Sequence, residues 1–181
     1  MNHNIEKEYK VLVSKEQFYK LFNLYEALEL RKQTNVYYDT KDFSIRKHHG
    51  SMRIRDVAGK HIFTLKMHSD TGLLEFEKEV LKNSVEVLLD EEISVLLKEY
   101  DLHGPFYEIT SLSTQRAVYF NGYAELCFDI NTYNGIIDYE IEYEYKKDHD
   151  GLLTFQNILK PIQVEYHKNC ISKIQRAINT L

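Results

Sequence analysis

Acidic and apolar residues alternate along several short segments of this 181-residue chain. The clearest segment is residues 135–146, where Asp138, Glu140, Glu142 and Glu144 alternate with isoleucine and tyrosine. Successive side chains of a strand point to opposite faces, so this period of two predicts strands with one charged and one apolar face. The pattern therefore favours an antiparallel sheet with helices packed on its apolar face.

The other predicted strands are short and are separated by turns, of which Asn121-Gly122 is the strongest hairpin signal. The alternation predicts about eight strands, most of them antiparallel. They lie at residues 5–13, 35–39, 51–56, 61–67, 74–80, 114–120, 125–130 and 135–146.

Four helices are interleaved with these strands. Ser14 and Gln17 form a capping box that begins a helix predicted to run to about Leu30. The remaining helices are predicted at residues 84–97, 152–159 and 171–181. With only 7 Gly and 2 Pro, the chain lacks the composition of a long linker, so residues 1–181 are expected to form one domain.

Composition excludes several classes of protein. The net charge of −5 argues against binding to nucleic acid or to an acidic membrane surface. No export signal or membrane-spanning run is evident, and the two cysteines, Cys127 and Cys170, are expected to be reduced thiols. We expect a cytoplasmic protein that is a monomer or a homodimer.

The charged faces of the strands hold two kinds of side chain in separate clusters. The acidic members are Glu6, Glu8, Glu75, Glu77, Glu79, Glu125, Asp129, Asp138, Glu140, Glu142 and Glu144, and the basic members are Lys10, Arg53, Arg55, Lys66 and Arg116. One interpretation is an open sheet with a solvated charged face. The other is a closed barrel of about eight strands, whose interior is wide enough for one small ligand.

Clustered carboxylates beside clustered cations favour the second interpretation. Hard divalent cations take oxygen ligands, whereas Arg and Lys bind phosphate. A polyphosphate with bound Mg²⁺ or Mn²⁺ would use both sets together. By contrast, Lys146-Lys147-Asp148 is interpreted as a solvated turn, and the histidines show no zinc-ligand spacing.

Residues 6–10, Glu-Lys-Glu-Tyr-Lys, resemble the Glu-x-Glu-x-Lys signature of the CYTH, or triphosphate tunnel metalloenzyme, superfamily. Further residues follow in the order of that family. They are residues 36–40, Arg53, Arg55, Lys66, Glu75, Glu77, Arg116, Asp129, Glu140, Glu142 and Ser172-Lys173. The resemblance covers residues 5–176 and is strongest to the small bacterial members of the YjbK type.

This resemblance implies an α+β fold: an eight-stranded antiparallel β-barrel, the triphosphate tunnel, with helices on the outside. It implies Mg²⁺ or Mn²⁺ as cofactor, held by Glu6, Glu8, Asp129, Glu140 and Glu142. It implies phosphate binding by Lys10, Arg53, Arg55, Lys66, Arg116 and Lys173. Glu6, Glu8 and Lys10 would be catalytic, Glu75 and Glu77 would orient arginines, and Lys168 competes with Lys173 for the tunnel position.

The function implied is metal-dependent hydrolysis of the terminal phosphate of a bound triphosphate, with inorganic tripolyphosphate favoured. Adenylate cyclase and thiamine triphosphatase chemistry at the same site remain alternatives. A polyphosphate-binding sensor without turnover is a third. Product analysis separates a hydrolase, which releases orthophosphate, from a cyclase, which releases pyrophosphate.

Overall fold

The computed structural model describes residues 1–25, 28–69 and 72–181. Within these residues the alternating segments form one curled antiparallel sheet of nine strands. The strands are β1 (Asn2–Glu6), β2 (Glu8–Val13), β3 (Arg31–Asp39), β4 (Ser51–Val57), β5 (Lys60–Ser69), β6 (Gly72–Val80), β7 (Tyr107–Phe120), β8 (Ala124–Tyr133) and β9 (Ile136–Tyr145). Their spatial order is β1-β6-β5-β4-β3-β7-β8-β9-β2.

The two edges of this sheet are consecutive in the chain. β1 pairs with β6 and β2 pairs with β9, and only Lys7 separates β1 from β2. The sheet must therefore curl until its first and last strands meet at Lys7, whose carbonyl accepts the Tyr145 N–H at 2.9 Å. The predicted antiparallel barrel architecture is confirmed. Nine strands replace the predicted eight because the first strand changes partner at Lys7.

The described residues also form five α-helices and two 3₁₀ helices. The α-helices are α1 (Lys15–Phe22), α2 (Ser44–Lys47), α3 (Glu91–Glu99), α4 (Gly151–Leu159) and α5 (Lys173–Ile178), and the 3₁₀ helices span Val85–Leu89 and Lys160–Ile162. None of the helices in this part of the chain is long and apolar enough to cross a membrane.

The helix predicted after Ser14 is shorter than expected. The capping box is present, since Ser14 accepts from the Gln17 N–H and the Gln17 side chain accepts from the Ser14 N–H. The helix nevertheless ends at Phe22, because the N–H groups of Leu24 and Tyr25 bond to carbonyls three residues earlier and form turns. Its predicted continuation to residue 30 includes residues 26–27, which lie outside the described part.

Two other predicted helices are also altered by capping groups. Asp90 divides the helix predicted at residues 84–97, because its carboxylate accepts the first N–H groups of α3 and ends the preceding 3₁₀ turn. The helix predicted at residues 171–181 begins only at Lys173, after the N-cap Ser172, and ends at Ile178. α4 agrees with its prediction to within one residue.

Helices cover the apolar face of the sheet in two places. α1 and α4 pack on β8 and β9 in a cluster that includes Phe18, Phe128, Ile141, Tyr143 and Phe155. α2 and α3 pack on β4 and β5 in a second cluster that includes Ile45, Ile54, Phe63, Leu65 and Ile93. Burial of these side chains leaves the charged face turned inward.

α5 packs differently from the other helices. Its Ile174 and Ala177 contact Tyr37, Leu112 and Tyr133, which belong to a third and smaller apolar cluster. The same helix carries Lys173 to the carboxylates of β8 and β9. α5 therefore forms part of the wall of the space that the charged face encloses.

Phe155 tests the packing of α4 on the sheet. The Phe155 side chain is fully buried, whereas Leu153 on the same helix is 53% exposed. Phe155→Ala should lower the free energy of unfolding by about 3–5 kcal/mol, and Leu153→Ala by about 0.5 kcal/mol or less, measured by urea denaturation. Equal losses in the two variants would contradict this packing.

Candidate functional site

The charged face encloses a cavity of about 700 Å³. Eleven of the thirteen predicted site residues line it, all within the described part of the chain. They are Glu6, Glu8, Lys10, Arg53, Arg55, Lys66, Glu75, Glu77, Arg116, Glu142 and Lys173. Strand parity brings them together, because alternate residues of seven strands point into the curl and α5 adds Lys173.

Asp129 and Glu140, the two remaining predicted residues, do not line the cavity but lie completely buried behind its wall. They face each other across β8 and β9, and Glu142 lies two residues further along β9. One carboxylate oxygen from each of the three lies within 4.8 Å of the others. We call Asp129, Glu140 and Glu142 the carboxylate triad.

Cations neutralise the carboxylate triad. The Lys173 Nζ lies 2.9 Å from Asp129 Oδ2 and 3.0 Å from Glu142 Oε2, and it also contacts Glu140. Arg116 donates to both oxygens of Asp129, at 2.7 and 2.6 Å, and to Glu142 at 3.1 Å. Burial raises the pKa of Asp129 and Glu142, but Arg116 and Lys173 outweigh it and lower both values.

A further buried cation, Arg176, was not predicted from the sequence. Its guanidinium donates to Asp138 at 2.8 Å and to the Ile171 carbonyl at 2.7 Å, and it lies 2.7 Å from Glu140 Oε2. Arg176 thus fastens α5 to β9. The only signal in the sequence is its position three residues after Lys173, which places both on one helix face.

Asp138 belongs to the charged face but does not line the cavity. Besides Arg176, it accepts hydrogen bonds from the Tyr133 hydroxyl at 2.6 Å and the Asn131 amide at 2.9 Å. Its charge and its acceptor oxygens are therefore used within the protein, at the end of the barrel that α5 covers.

The glutamates of the first strands lie on the cavity side. Glu6 accepts a hydrogen bond from Lys66 at 2.5 Å, and Glu8 accepts a hydrogen bond from Lys10. The pKa of Glu8 is raised to about 8 by burial and by the negative charge of Glu142, although Lys10 opposes the shift. Each of these two glutamates therefore has one lysine as its ion-pair partner.

Arg55 differs from these glutamates in its partners. Its Nε donates to Asn35 at 2.9 Å, and no carboxylate of the described residues lies within ion-pair distance of it. Burial, together with the positive charges of Arg53 and Arg116, lowers the pKa of Arg55 to about 10. This part of the wall has an excess of positive charge.

Glu75 and Glu77 have different surroundings. Glu75 lies 3.2 Å from Lys66 and 3.7 Å from Arg53, so it contacts two cations of the cavity. Glu77 instead accepts from the Thr64 hydroxyl at 3.2 Å. Glu75 thus contacts one arginine and one lysine, whereas Glu77 contacts a hydroxyl.

The cavity has polar members that received no role from the sequence. Lys146, interpreted as part of a solvated turn, lines it and bridges Glu125 at 3.2 Å and Glu144 at 2.7 Å. Strand parity had already placed both glutamates on the charged face. Lys168, the competitor of Lys173, is exposed and does not line the cavity.

Comparison with known proteins identifies the family. The CYTH domain matches residues 4–178. The chain belongs to the CYTH family. The resemblance noted from Glu6, Glu8 and Lys10 and their companions is thereby confirmed over nearly the whole chain.

Individual relatives agree with this assignment. The chain is 30% identical over 176 residues to the "Putative triphosphatase YjbK" of Bacillus subtilis (strain 168), covering 91% of this chain and 90% of that protein. It superimposes on a "putative adenylate cyclase" from Bacillus halodurans with a TM-score of 0.85 and 33% identity, covering 97% and 98% of the two chains.

A more distant structure shares the fold. A Hippeastrum protein, described as a "putative adenylyl cyclase" with "a dominant" triphosphatase activity, superimposes with a TM-score of 0.74. Its identity is 23%, and 94% of each chain is covered. At this identity the likeness shows the CYTH fold alone.

The role of Arg176 can be tested through stability. Arg176→Met leaves the half-buried Asp138 and one oxygen of the buried Glu140 without their cation, so we expect a loss of about 3–5 kcal/mol in the free energy of unfolding. Adding Asp138→Asn should recover part of that loss, as a double-mutant cycle in urea would show. Arg46→Met, at an exposed arginine, is the control, and a similar loss there would contradict the assignment.

Proposed function

We propose that this CYTH protein binds a triphosphate together with Mg²⁺ or Mn²⁺ in the cavity and hydrolyses its terminal phosphoanhydride bond. The observation that carries the proposal is one cavity lined by both carboxylates and cations, in which Arg55 has no carboxylate of the described residues within ion-pair distance. Glu6 and Glu8 line the same cavity, each paired with one lysine. A polyphosphate anion would give Arg55 a partner, and its divalent cation would bind the carboxylates.

The phosphate groups are assigned to the cationic side chains of the cavity. Guanidinium groups bind phosphate oxygens in pairs, and ammonium groups bind them as point charges. The proposed phosphate-binding residues are Lys10, Arg53, Arg55, Lys66, Arg116 and Lys173. The buried Nε of Arg53 has no hydrogen-bond partner among the described residues, which supports a missing acceptor at this position.

The divalent cation is assigned to Glu6, Glu8 and the carboxylate triad. Their oxygens are the donors that Mg²⁺ and Mn²⁺ prefer, so the residues present fit such an ion. A bound cation would neutralise phosphate charge and supply an activated water. Glu6 and Glu8 face the cavity directly, whereas the triad reaches it through Glu142.

The side chains of the protein then act mainly by position and charge. Phosphoryl transfer needs alignment of the phosphate and stabilisation of its non-reacting oxygens, and Lys10 and the arginines supply both. No thiol nucleophile is involved. Cys127 is buried with a raised pKa, and burial and the charge of Glu140 raise the pKa of Cys170 to about 12.

Inorganic tripolyphosphate is the substrate that we propose. The lining is dominated by charged and amide side chains, and its two tyrosines, Tyr37 and Tyr38, are only 3% and 5% exposed. They offer no open ring face on which adenine or the thiamine rings could stack. The lining therefore offers many groups to phosphate, and the rings it leaves open to an organic end group are the imidazoles of His3, His49 and His68.

The test is release of orthophosphate from tripolyphosphate with Mg²⁺, Mn²⁺ or EDTA. We expect metal-dependent release, and a loss of about 100-fold or more in kcat/KM for Glu6→Gln and Glu8→Gln, because each removes a proposed metal ligand. Glu79→Gln, at an exposed glutamate of β6, is the matched control and should keep wild-type rates.

Two other outcomes would indicate a different function. Pyrophosphate released from ATP, with none of the orthophosphate expected from tripolyphosphate, would identify a cyclase. Tight binding of tripolyphosphate with no turnover under any metal would identify a sensor. Wild-type rates in Glu6→Gln and Glu8→Gln would show that the metal assignment is wrong.

A variant of Arg55 tests the proposed phosphate-binding residues separately from the proposed metal ligands. Arg55→Met removes the guanidinium that has no carboxylate partner, and we expect KM for tripolyphosphate to rise by about 10–100-fold, the effect of losing a charge-assisted hydrogen bond. Steady-state kinetics beside Arg31→Met, at an arginine outside the cavity lining, give the comparison. An unchanged KM in Arg55→Met would place the phosphates elsewhere.

A further inference from the structure

Lys173 differs from the other cations around the carboxylate triad in the number of carboxylates it contacts. It is the one cation of the described residues whose contacts reach all three carboxylates. Arg116 contacts Asp129 and Glu142, and Arg176 contacts Glu140. The Lys173 ammonium therefore lies where the three carboxylates converge, and their oxygens lie within 4.8 Å of one another.

We propose that Lys173 is an internal counter-ion that holds the triad until a divalent cation displaces it. This inference rests on the proposed function, since it takes the triad as a metal site. Lys173 and the metal then occupy the triad in turn and never together. The same lysine would have two positions, one on the carboxylates and one in the cavity.

Mutual exclusion follows from space and charge. Three carboxylates within 4.8 Å of one another have room for one cation between them. The triad is buried, so solvent and salt screen little of the repulsion between an ammonium and a divalent ion placed side by side. Glu140 also has one oxygen bound to Arg176, so Lys173 holds its other oxygen, which a metal would need.

The Lys173 side chain can leave the triad without moving its helix. Ile174 and Ala177 anchor α5 in the apolar cluster, and Arg176 fastens it to Asp138 and to the Ile171 carbonyl. The four-carbon stem of a lysine is flexible, and Lys173 already borders the cavity. Rotation of the stem therefore moves the ammonium from the triad towards the proposed phosphates.

This exchange couples the binding of the divalent cation to the binding of the polyphosphate. When a divalent cation replaces the ammonium, the triad region gains one positive charge, and the released ammonium adds another charge to the cavity. Both changes favour a polyphosphate anion. By linkage, the polyphosphate must then favour the metal by the same factor, because it offers Lys173 a new partner.

The test is calorimetric titration of the full chain with Mn²⁺ in the absence of any phosphate. Lys173→Met empties the triad of its ammonium and should tighten Mn²⁺ binding by about tenfold or more. Lys173→Arg keeps a cation at the triad, and its affinity should stay within about threefold of wild type. Binding in Lys173→Met that is unchanged or weaker would overturn the proposal.

Lys146→Met is the matched control. It removes one lysine from the same cavity, but that lysine bridges Glu125 and Glu144 and does not touch the triad. Its Mn²⁺ affinity should change by less than about threefold. Equal tightening in Lys146→Met and Lys173→Met would show a general effect of cavity charge and would overturn the exchange at the triad.

Loss of Lys173 leaves buried carboxylates under-compensated, so thermal melting provides a second readout. We expect Lys173→Met to melt below wild type without metal, and Mn²⁺ to raise its melting temperature more than that of wild type. Absence of this larger gain would also overturn the proposal. These measurements involve no substrate, so they are independent of whether tripolyphosphate is hydrolysed.

Discussion

Buried ion pairs between the strands of the inner face determine how this protein is built. Buried charges cost several kcal/mol each unless they are closely paired, and a well-packed apolar interior is often the more stable alternative. Here Asp129 and Glu140 have no exposed surface and Arg176 very little, yet each has partners at hydrogen-bond distance. The buried charges need these pairs because the curl of the sheet encloses most of the charged face around the cavity.

The pairing is complete in one region and incomplete in another. Around the carboxylate triad every acid has a cation, and at Asp138 neutral donors complete the set. On the cavity side Glu6 and Glu8 each pair with a lysine, whereas Arg55 has no carboxylate of the described residues within ion-pair distance. Burial is the main cause of the lowered pKa of Arg55 and of the raised pKa of Glu8. A half-buried guanidinium without a carboxylate partner is the basis of the proposed phosphate site.

Much of the fold was predictable because strand alternation is a local property. The period of two assigned residues such as Arg53, Arg55, Glu75 and Glu142 to one face, and that face lines the cavity. The division of the first strand at Lys7 was not predictable, since it depends on which strands become the edges of the sheet.

The sequence predicted which residues form the candidate site, but it did not predict which of them pair with one another. Alternation places Asp129 with the other acids, but its complete burial behind Lys173 and Arg116 follows from how α5 docks. Arg176 lies on a six-residue helix, where its spacing of three from Lys173 is the only local signal and does not show that it is buried. Helix ends at Phe22 and Asp90 likewise depend on single turns and caps.

The most direct test of a cavity that separates cation and anion sites is a crystal structure with Mn²⁺ and a non-hydrolysable tripolyphosphate analogue. Our account predicts an anomalous manganese peak at about 2.1 Å from oxygens of Glu6, Glu8 or the carboxylate triad, with the phosphates on Arg53 and Arg55. Phosphates outside the cavity, or manganese bound away from these carboxylates, would contradict it.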